Sequence, residues 1–503
     1  MTEPRTPARL DPTAVIADID RRIFGGFVEH LGRHIYDGIF EPGHEAADAD
    51  GFRTDVINLV KELGVSTIRY PGGNFVSGYK WEDGVGPVAD RPRRLDLAWR
   101  STETNEVGLH EFSAWLDRVG SDLMLAVNLG TRGTQEALDL LEYANTSVRT
   151  TLTDQRAANG HPDPFGVKVW CLGNEMDGPW QLGHRNADDY GKLASRTAKA
   201  MRMLDSTIEL VACGSSGRGM PTFGTWERTV LEHTIEDVDF ISCHAYYQER
   251  GGDAQEFLAS AVDMKKFIES VVTNADAVAA AKKIEKKVNI SFDEWNVWYL
   301  FAEDDAQNDK PEGDWPVAPR LLEDQYHVLD AVVFGDLMIT LLQHSDRVRS
   351  ASLAQLVNVI APIMTEPGGI AWKQTTFFPF SLTSRLGQGD AVRLPVSSPT
   401  FTSSRFGEVA TVNAVATVDA EGASVFVVNR SLTSAQVVEI DVSALGSAVA
   451  VVESHLLADD DIYAANSLEQ PERVGVRASD AVIEGGVLRV SMPAVSWLAV
   501  RLE

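Results

Sequence analysis

The segment Val169-Trp170-Cys171-Leu172-Gly173-Asn174-Glu175 is an apolar run that stops abruptly on an amide and a carboxylate. A run this short, bounded by a glycine, reads as a strand buried on both faces of a parallel sheet. A second segment has the same form: Val288-Asn289-Ile290-Ser291-Phe292-Asp293-Glu294-Trp295-Asn296 ends in two carboxylates flanked by aromatics. Working outward from this pair, strands are expected at 24–30, 67–72, 124–129, 168–174, 208–213, 240–246, 288–295 and 348–356. Helical periodicity lies between them, over 55–63, 109–119, 135–143, 187–203, 225–236, 254–275 and 322–341; the first of these puts Val56, Leu59, Val60 and Leu63 on one face. Eight strands alternating with helices predict a (β/α)8 barrel, a TIM barrel of the α/β class. No Gly-rich dinucleotide turn follows the first strand, as a doubly wound sheet would invite.

The pattern changes after about residue 384. Alternating strands replace helices at 409–418, 424–429, 437–442, 448–454, 487–491 and 496–502, separated by turn signals at 419–422 and 484–486. This predicts a catalytic barrel over 19–384 and an antiparallel, jelly-roll-like β-sandwich over 385–503, joined by residues 1–18. The sandwich is expected to cover one side of the barrel; carbohydrate binding is the alternative, but no cluster of aromatics marks a binding face. The acidic stretch 302–319 is long enough to be a loop over the barrel mouth.

The 503 residues carry 45 Lys+Arg against 73 Asp+Glu, a formal net charge of −28. Such a surface repels phosphate backbones, which argues against nucleic acid and favours a neutral substrate. The three cysteines, Cys171, Cys213 and Cys243, sit in apolar runs without C-x-x-C spacing and read as small buried hydrophobes. The first twenty residues show no signal-peptide core, and no run of about 18 apolar residues occurs, since Asp336 interrupts the longest apolar stretch. A cytoplasmic protein with no membrane partner is expected. His110-Glu111 lacks the second histidine of a metalloprotease helix, because Ala114 occupies its place, and no other spacing suggests a metal. Arg218 spoils a nucleophile elbow at Gly214-Ser215-Ser216-Gly217, and no P-loop occurs. Neither a metal nor a cofactor is expected.

Barrel enzymes hold their reacting groups at the C-terminal ends of the strands. Carboxyl groups from strands four and seven would face each other across the mouth. Glycoside cleavage needs that arrangement: one group protonates the leaving oxygen and the other attacks the anomeric carbon. Singly, Glu175 or Glu294 could merely cap a helix; the pair is more specific than either.

The segments Asn174-Glu175-Met176-Asp177-Gly178-Pro179-Trp180 and Asp293-Glu294-Trp295-Asn296 resemble the acid/base and nucleophile segments of glycoside hydrolase family 51, the α-L-arabinofuranosidases. Glu29-His30-Leu31-Gly32-Arg33, Arg69-Tyr70-Pro71-Gly72-Gly73-Asn74-Phe75, Cys243-His244-Ala245-Tyr246-Tyr247 and Ala354-Gln355-Leu356-Val357-Asn358 are similar to that family as well. The resemblance implies a retaining, exo-acting enzyme that releases terminal α-L-arabinofuranosyl residues from arabinan, arabinoxylan or arabino-oligosaccharides. In it Glu175 would be the general acid/base and Glu294 the nucleophile, their carboxyl groups about 5–5.5 Å apart. Asn174 would bond the sugar 2-hydroxyl, Arg69 and Tyr246 would hold Glu294 ionised, and Glu29, Asn74 and Gln355 would bind the other hydroxyls. His244 is either a structural partner or a proton shuttle. Trp81, Trp99, Trp180 and Trp298 are either sugar platforms or loop packing. The resemblance also implies a homo-oligomer, often a hexamer. A β-xylosidase or endoglucanase on the same scaffold, or a non-catalytic sugar-binding barrel, are the alternatives.

Overall fold

The computed structural model describes residues 5–299 and 315–503, so most of the expected loop at 302–319 lies outside the described residues. Eight strands form a closed barrel: β1 Gly25–Phe27, β2 Thr67–Tyr70, β3 Asp122–Val127, β4 Val169–Leu172, β5 Glu209–Ala212, β6 Phe240–Tyr247, β7 Asn289–Val297 and β8 Val348–Leu353. They pair in chain order, each parallel to the next, and β8 closes onto β1. All eight fall where the sequence places them. Most stop two or three residues short of the expected end, because the polar residues that follow leave the ladder and form the mouth.

Helices wrap the barrel: α1 Thr54–Leu63, α2 Leu109–Val119, α3 Thr134–Asn145, α4 Thr151–Ala158, α5 Ala187–Leu204, α6 Thr225–Thr234, α7 Ser260–Lys282, α8 Val328–Gln343 and α9 Phe377–Leu386. The expected helix at 254–275 is two pieces, a single turn Ala254–Phe257 and then α7. The one at 322–341 begins only at Val328. Its first six residues are irregular, with the Tyr326 amide donating to Gln374 Oε1 (2.8 Å). Two helices escaped the pattern. α4 has little amphipathic contrast, and α9 carries Pro379 in its first turn, where a missing N–H costs nothing.

The C-terminal strands form two sheets. Six strands run in the order Val15–Asp18, Asp390–Val392, Val412–Val418, Ala423–Asn429, Ser496–Leu502, Val451–Leu457. The other four run Arg5–Arg9, Gln436–Asp441, Val487–Met492, Val482–Glu484, with Arg5–Arg9 parallel to its neighbour and the rest antiparallel. Within the six-stranded sheet, Ala423–Asn429 and Ser496–Leu502 are buried on both faces, and their alternation sorts the side chains. Val425, Val427, Leu498 and Val500 enter the sandwich core, whereas Phe426, Val428, Trp497 and Ala499 join the barrel's apolar cluster. Helix α8 approaches this second face closely. A Cβ on Gly335 would stand 2.3 Å from the Trp497 ring, so only glycine fits there. One residue further, Asp336 is buried and takes two bonds from the Arg430 guanidinium (2.6 and 2.8 Å) and one from Asn413 (2.8 Å). The charge that breaks the apolar run in the sequence is thus paired across the junction. Cys171, Cys213 and Cys243 are buried and free, and burial pushes all three thiols up. No helix among the described residues is long and apolar enough to cross a membrane.

Candidate active site

A cavity of about 420 Å³ opens at the C-terminal ends of the strands. Nine of the residues singled out from the sequence line it: Glu29, Asn74, Trp99, Asn174, Glu175, Tyr246, Glu294, Trp298 and Gln355. Arg69 and His244 lie beneath, bonded to the carboxylates. Trp180 also lines the cavity, while Trp81 packs against Tyr143 away from it.

Glu175 leaves β4 through Gly173 and itself adopts φ +41°, a conformation costly for a residue with a Cβ. Its Oε2 accepts from Trp180 Nε1 (2.6 Å) and its Oε1 faces His244 Nδ1 at 2.9 Å. Glu294 accepts from Arg69 Nη1 (2.8 Å) through Oε1 and from the Tyr246 hydroxyl (2.8 Å) through Oε2. Arg69 Nη2 also donates to Asn174 Oδ1 (2.7 Å), so one guanidinium sets both the amide and the carboxylate. One carboxylate oxygen of Glu175, one of Glu294 and a ring nitrogen of His244 all lie within 4.8 Å of one another.

Asp293 is the functional residue that the sequence reading quoted but left without a role. It is 1% exposed, bonds His244 Nε2 (3.0 Å) and lies 3.5 Å from Arg69 Nε. Adjacent residues of a regular strand point to opposite faces, yet Asp293 and Glu294 both reach Arg69 and His244. The pairing of β7 with β8 slips between Phe292 and Trp295, and that of β6 with β7 slips before His244. These irregularities turn both carboxylates inward.

His244 is held as a cation. Burial works against its charge, but Glu294, Asp293 and Glu175 outweigh burial and raise it to about 10. Both ring nitrogens then donate, one to Asp293 and one to Glu175. For Glu294 burial is the larger influence and pushes its carboxyl up, with the Glu175 charge adding to it; His244 and Arg69 pull the other way. The sequence reading gave that opposing duty to Arg69 and Tyr246; the structure adds His244 as a second cation.

Across the cavity, Glu29 Oε1 accepts from the Phe75 amide (2.9 Å) and Trp99 Nε1 (2.8 Å), and Gln355 Nε2 approaches Oε2 at 3.3 Å. Gln355 is oriented from behind by His34 Nδ1 on its Oε1. Burial pushes His34 down to about 3, so it stays neutral. Glu29 is pushed up to about 8 by burial, against its two hydrogen bonds and with help from Glu294. Gly73 allows this carboxyl its place: φ is +52°, and a Cβ there would lie 2.0 Å from Glu29 Oε2. Trp298 meets the Tyr246 ring edge-on, centroids 4.9 Å apart.

Comparison with known proteins identifies the family. Models of the α-L-arabinofuranosidase 1 domain and the α-L-arabinofuranosidase C-terminal domain match residues 59–268 and 293–496. An exo-α-(1→6)-L-arabinofuranosidase of Bifidobacterium longum is 58% identical over 97% of this chain and 95% of its own length. An intracellular exo-α-(1→5)-L-arabinofuranosidase of Streptomyces lividans is 57% identical over 98% of this chain and 74% of its own. A solved family 51 α-L-arabinofuranosidase, also from Bifidobacterium longum, superposes with a TM-score of 0.95 at 49% identity, covering 100% of both chains. With a parallel barrel, two carboxylates at its mouth and relatives of this identity along nearly the whole chain, the protein belongs to glycoside hydrolase family 51, and it is an exo-acting α-L-arabinofuranosidase.

Proposed function

We propose that the enzyme releases terminal arabinofuranose from neutral arabino-oligosaccharides by double displacement, with Glu294 as nucleophile and Glu175 as acid/base. The observation that supports this best is that one oxygen of the Glu175 carboxyl lies within 4.8 Å of one oxygen of the Glu294 carboxyl. Inverting enzymes keep about 6.5–9.5 Å between carboxyl groups to admit a water, whereas retaining ones keep about 5–5.5 Å. In the first step Glu294 Oε forms an ester to the anomeric carbon as the glycosidic C–O bond breaks, and the leaving oxygen takes the Glu175 proton. Glu294 loses a negative charge as Glu175 gains one, so the charge facing His244 and Arg69 stays constant. His244 Nδ1–H, at 2.9 Å, steadies the new Glu175 carboxylate. In the second step that carboxylate takes a proton from water, which cleaves the ester. Asn174, Glu29, Asn74 and Gln355 bind the ring hydroxyls in this reading, and Trp99, Trp180 and Trp298 close over its apolar edges.

Full-length relatives named as arabinofuranosidases displace the β-xylosidase, endoglucanase and binding-protein alternatives. Their names divide over linkage, (1→6) in one and (1→5) in others. Several carry the word intracellular, which supports the cytoplasmic reading. Residues 19–384 form the catalytic unit in this proposal. Residues 385–503, with 1–18, act as its support, and the assembly is a homo-oligomer, checked by light scattering.

The experiment is NMR of the first product formed from 1,5- and 1,6-linked arabinobiose, with Glu175→Ala in parallel. Retained anomeric configuration is expected. Loss of general-acid assistance should slow the disaccharides by roughly 10²–10⁴-fold, and formation of the intermediate from an activated aryl arabinofuranoside far less. An inverted product, or equal losses on both substrate types, overturns the assignment.

A further inference from the structure

The segment Glu29-His30-Leu31-Gly32-Arg33 brings Glu29 to the cavity, but the mechanism leaves its last residue without a task. Arg33 is buried, and its Nε and Nη2 donate to the two carboxylate oxygens of Glu323 (2.7 and 2.8 Å). A two-pronged pair of this kind fixes direction as well as distance. Both side chains are withdrawn from water, at 3% and 7% exposure. So buried a pair adds little net stability, because desolvation offsets its attraction. What it supplies is geometry.

Glu323 sits on a strap, residues 315–324, that runs from the strand Ser101–Glu103 to the catalytic cavity. Thr102 anchors one end, its amide on the Pro316 carbonyl (3.0 Å) and its hydroxyl on that of Trp315 (2.5 Å). At the other end Asp324 accepts from the Tyr299 amide (2.9 Å). Between them the strap presses on Gly32, where a Cβ would stand 3.1 Å from the Pro319 carbonyl oxygen. Leu322, next to Glu323, lines the catalytic cavity together with Ile360 and Leu31. Leu31 precedes Arg33 by two residues, so the ion pair stitches together two of the segments that carry this aliphatic wall.

The wall is strained. Leu322 has φ +54° and Ile360 φ +39°, and for a side chain branched at Cβ the second is a genuine outlier. Such conformations are costly, gather at functional sites and persist only where neighbours over-determine them. Here the Ile360 amide donates to the Leu322 carbonyl (2.7 Å), and Asn296, two residues past Glu294, donates its Nδ2 to the Ile360 carbonyl (2.5 Å). The two strained residues are thus tied to each other, to the strand that carries Glu294 and, through Glu323, to Arg33.

We propose that Arg33 is a positioning residue: through its pair with Glu323 it holds Leu322 and Ile360 against the arabinofuranosyl ring. Arg33 itself touches no substrate atom. The inference rests on the ring filling this cavity, as in the proposed function, and adds what shapes the cavity's aliphatic side.

Its test is a double-mutant cycle on an aryl α-L-arabinofuranoside, with Arg33→Lys and Leu322→Ala made singly and together. Lysine keeps the charge and loses the fork. Glu323 keeps Arg320 as a partner (3.1 Å), which favours a folded variant. Leu322→Ala should raise KM by roughly tenfold, with kcat within about twofold, since the wall meets the ring before and during reaction alike. Arg33→Lys should raise KM by roughly threefold to tenfold, and the double variant should be no worse than Leu322→Ala alone. A merely structural role would lower kcat through a smaller folded fraction and leave KM where it was. An unmoved KM in Arg33→Lys, or effects that multiply in the double variant, overturns the proposal. If Arg33→Lys does not fold, Glu323→Gln, which keeps one oxygen for the guanidinium, replaces it in the cycle with the same expected outcomes. No effect of Leu322→Ala would instead mean that the ring does not fill this cavity, and would overturn the underlying reading as well.

Discussion

Along Ala423–Asn429 every side chain is buried, and all but Ser424 and Asn429 are apolar. At the ends of β4, β6 and β7, side chains just as buried are Asn174, His244, Asp293 and Glu294. The sheet is filled by groups whose removal from water drives folding. The mouth is filled by charges whose desolvation opposes it, kept tolerable only by mutual pairing. Two cations, Arg69 and His244, stand among three carboxyl groups there, and Glu29 adds a fourth carboxyl group, pushed up by burial, across the cavity. Stability and function are thus written in different regions of one molecule, and substitutions should separate them.

The largest separation is expected at Glu294. Replacement with Ala removes the atom that attacks, so kcat on every substrate should fall by at least about 10⁴-fold. It also removes one of three clustered carboxylates while Arg69 keeps Asn174 and Asp293 as partners. The thermal midpoint should hold or rise, as happens when strain at an active site is relieved. Calorimetry beside an activity assay checks both; a large drop in midpoint would mean that the mouth contributes to folding after all. The mirror image is Trp497→Ala. This ring is fully buried against α8 and Phe426, and its loss should cost roughly 3–5 kcal/mol in denaturant unfolding. Activity per folded molecule should not change. If it fell, the sheet would be shaping the mouth and not merely supporting the barrel.

The same contrast explains what could be read in the sequence. The barrel was legible because eight apolar runs and the intervening helical periodicity repeat the same unit. Glu175 and Glu294 were legible because a carboxylate ending a buried strand has few reasons to be there. Roles for Arg69, Asn74 and Gln355 came from resemblance, since no local pattern says that a buried polar group faces a sugar. Asp293 was passed over because strict alternation sends it away from Glu294, and the slips in pairing are set by neighbouring strands that are distant in sequence. Nor did the sequence show that His34 orients Gln355, a contact across 321 positions. Helices α4 and α9 were lost for a local reason: weak amphipathic contrast in one and an early proline in the other.

The finest test of the contrast is pH. Glu29 rises from an ordinary value near 4.5 to about 8 in the folded protein because burial penalises its charge. Between those values the native state holds a proton that the unfolded chain has released. Stability therefore falls as pH rises through this window and levels off above about 8. Glu29→Gln removes that titration. Gln at this position can still accept from the Phe75 and Trp99 donors, but its amide N–H faces the Gln355 amide, a penalty independent of pH. The signature is consequently a slope and not a level: the unfolding free energy of the variant minus that of the native protein should climb by roughly 1–4 kcal/mol from pH 4.5 to 8, then stay flat. His244 contributes in the same direction but at higher pH. Its folded value, near 10, lies above the ordinary one near 6.5, so its stabilisation is complete below 6.5 and lost toward 10, equally in both proteins. Denaturant unfolding at several pH values gives the difference directly. A flat difference across the window would mean that Glu29 is ionised at neutral pH and meets the sugar purely as an acceptor.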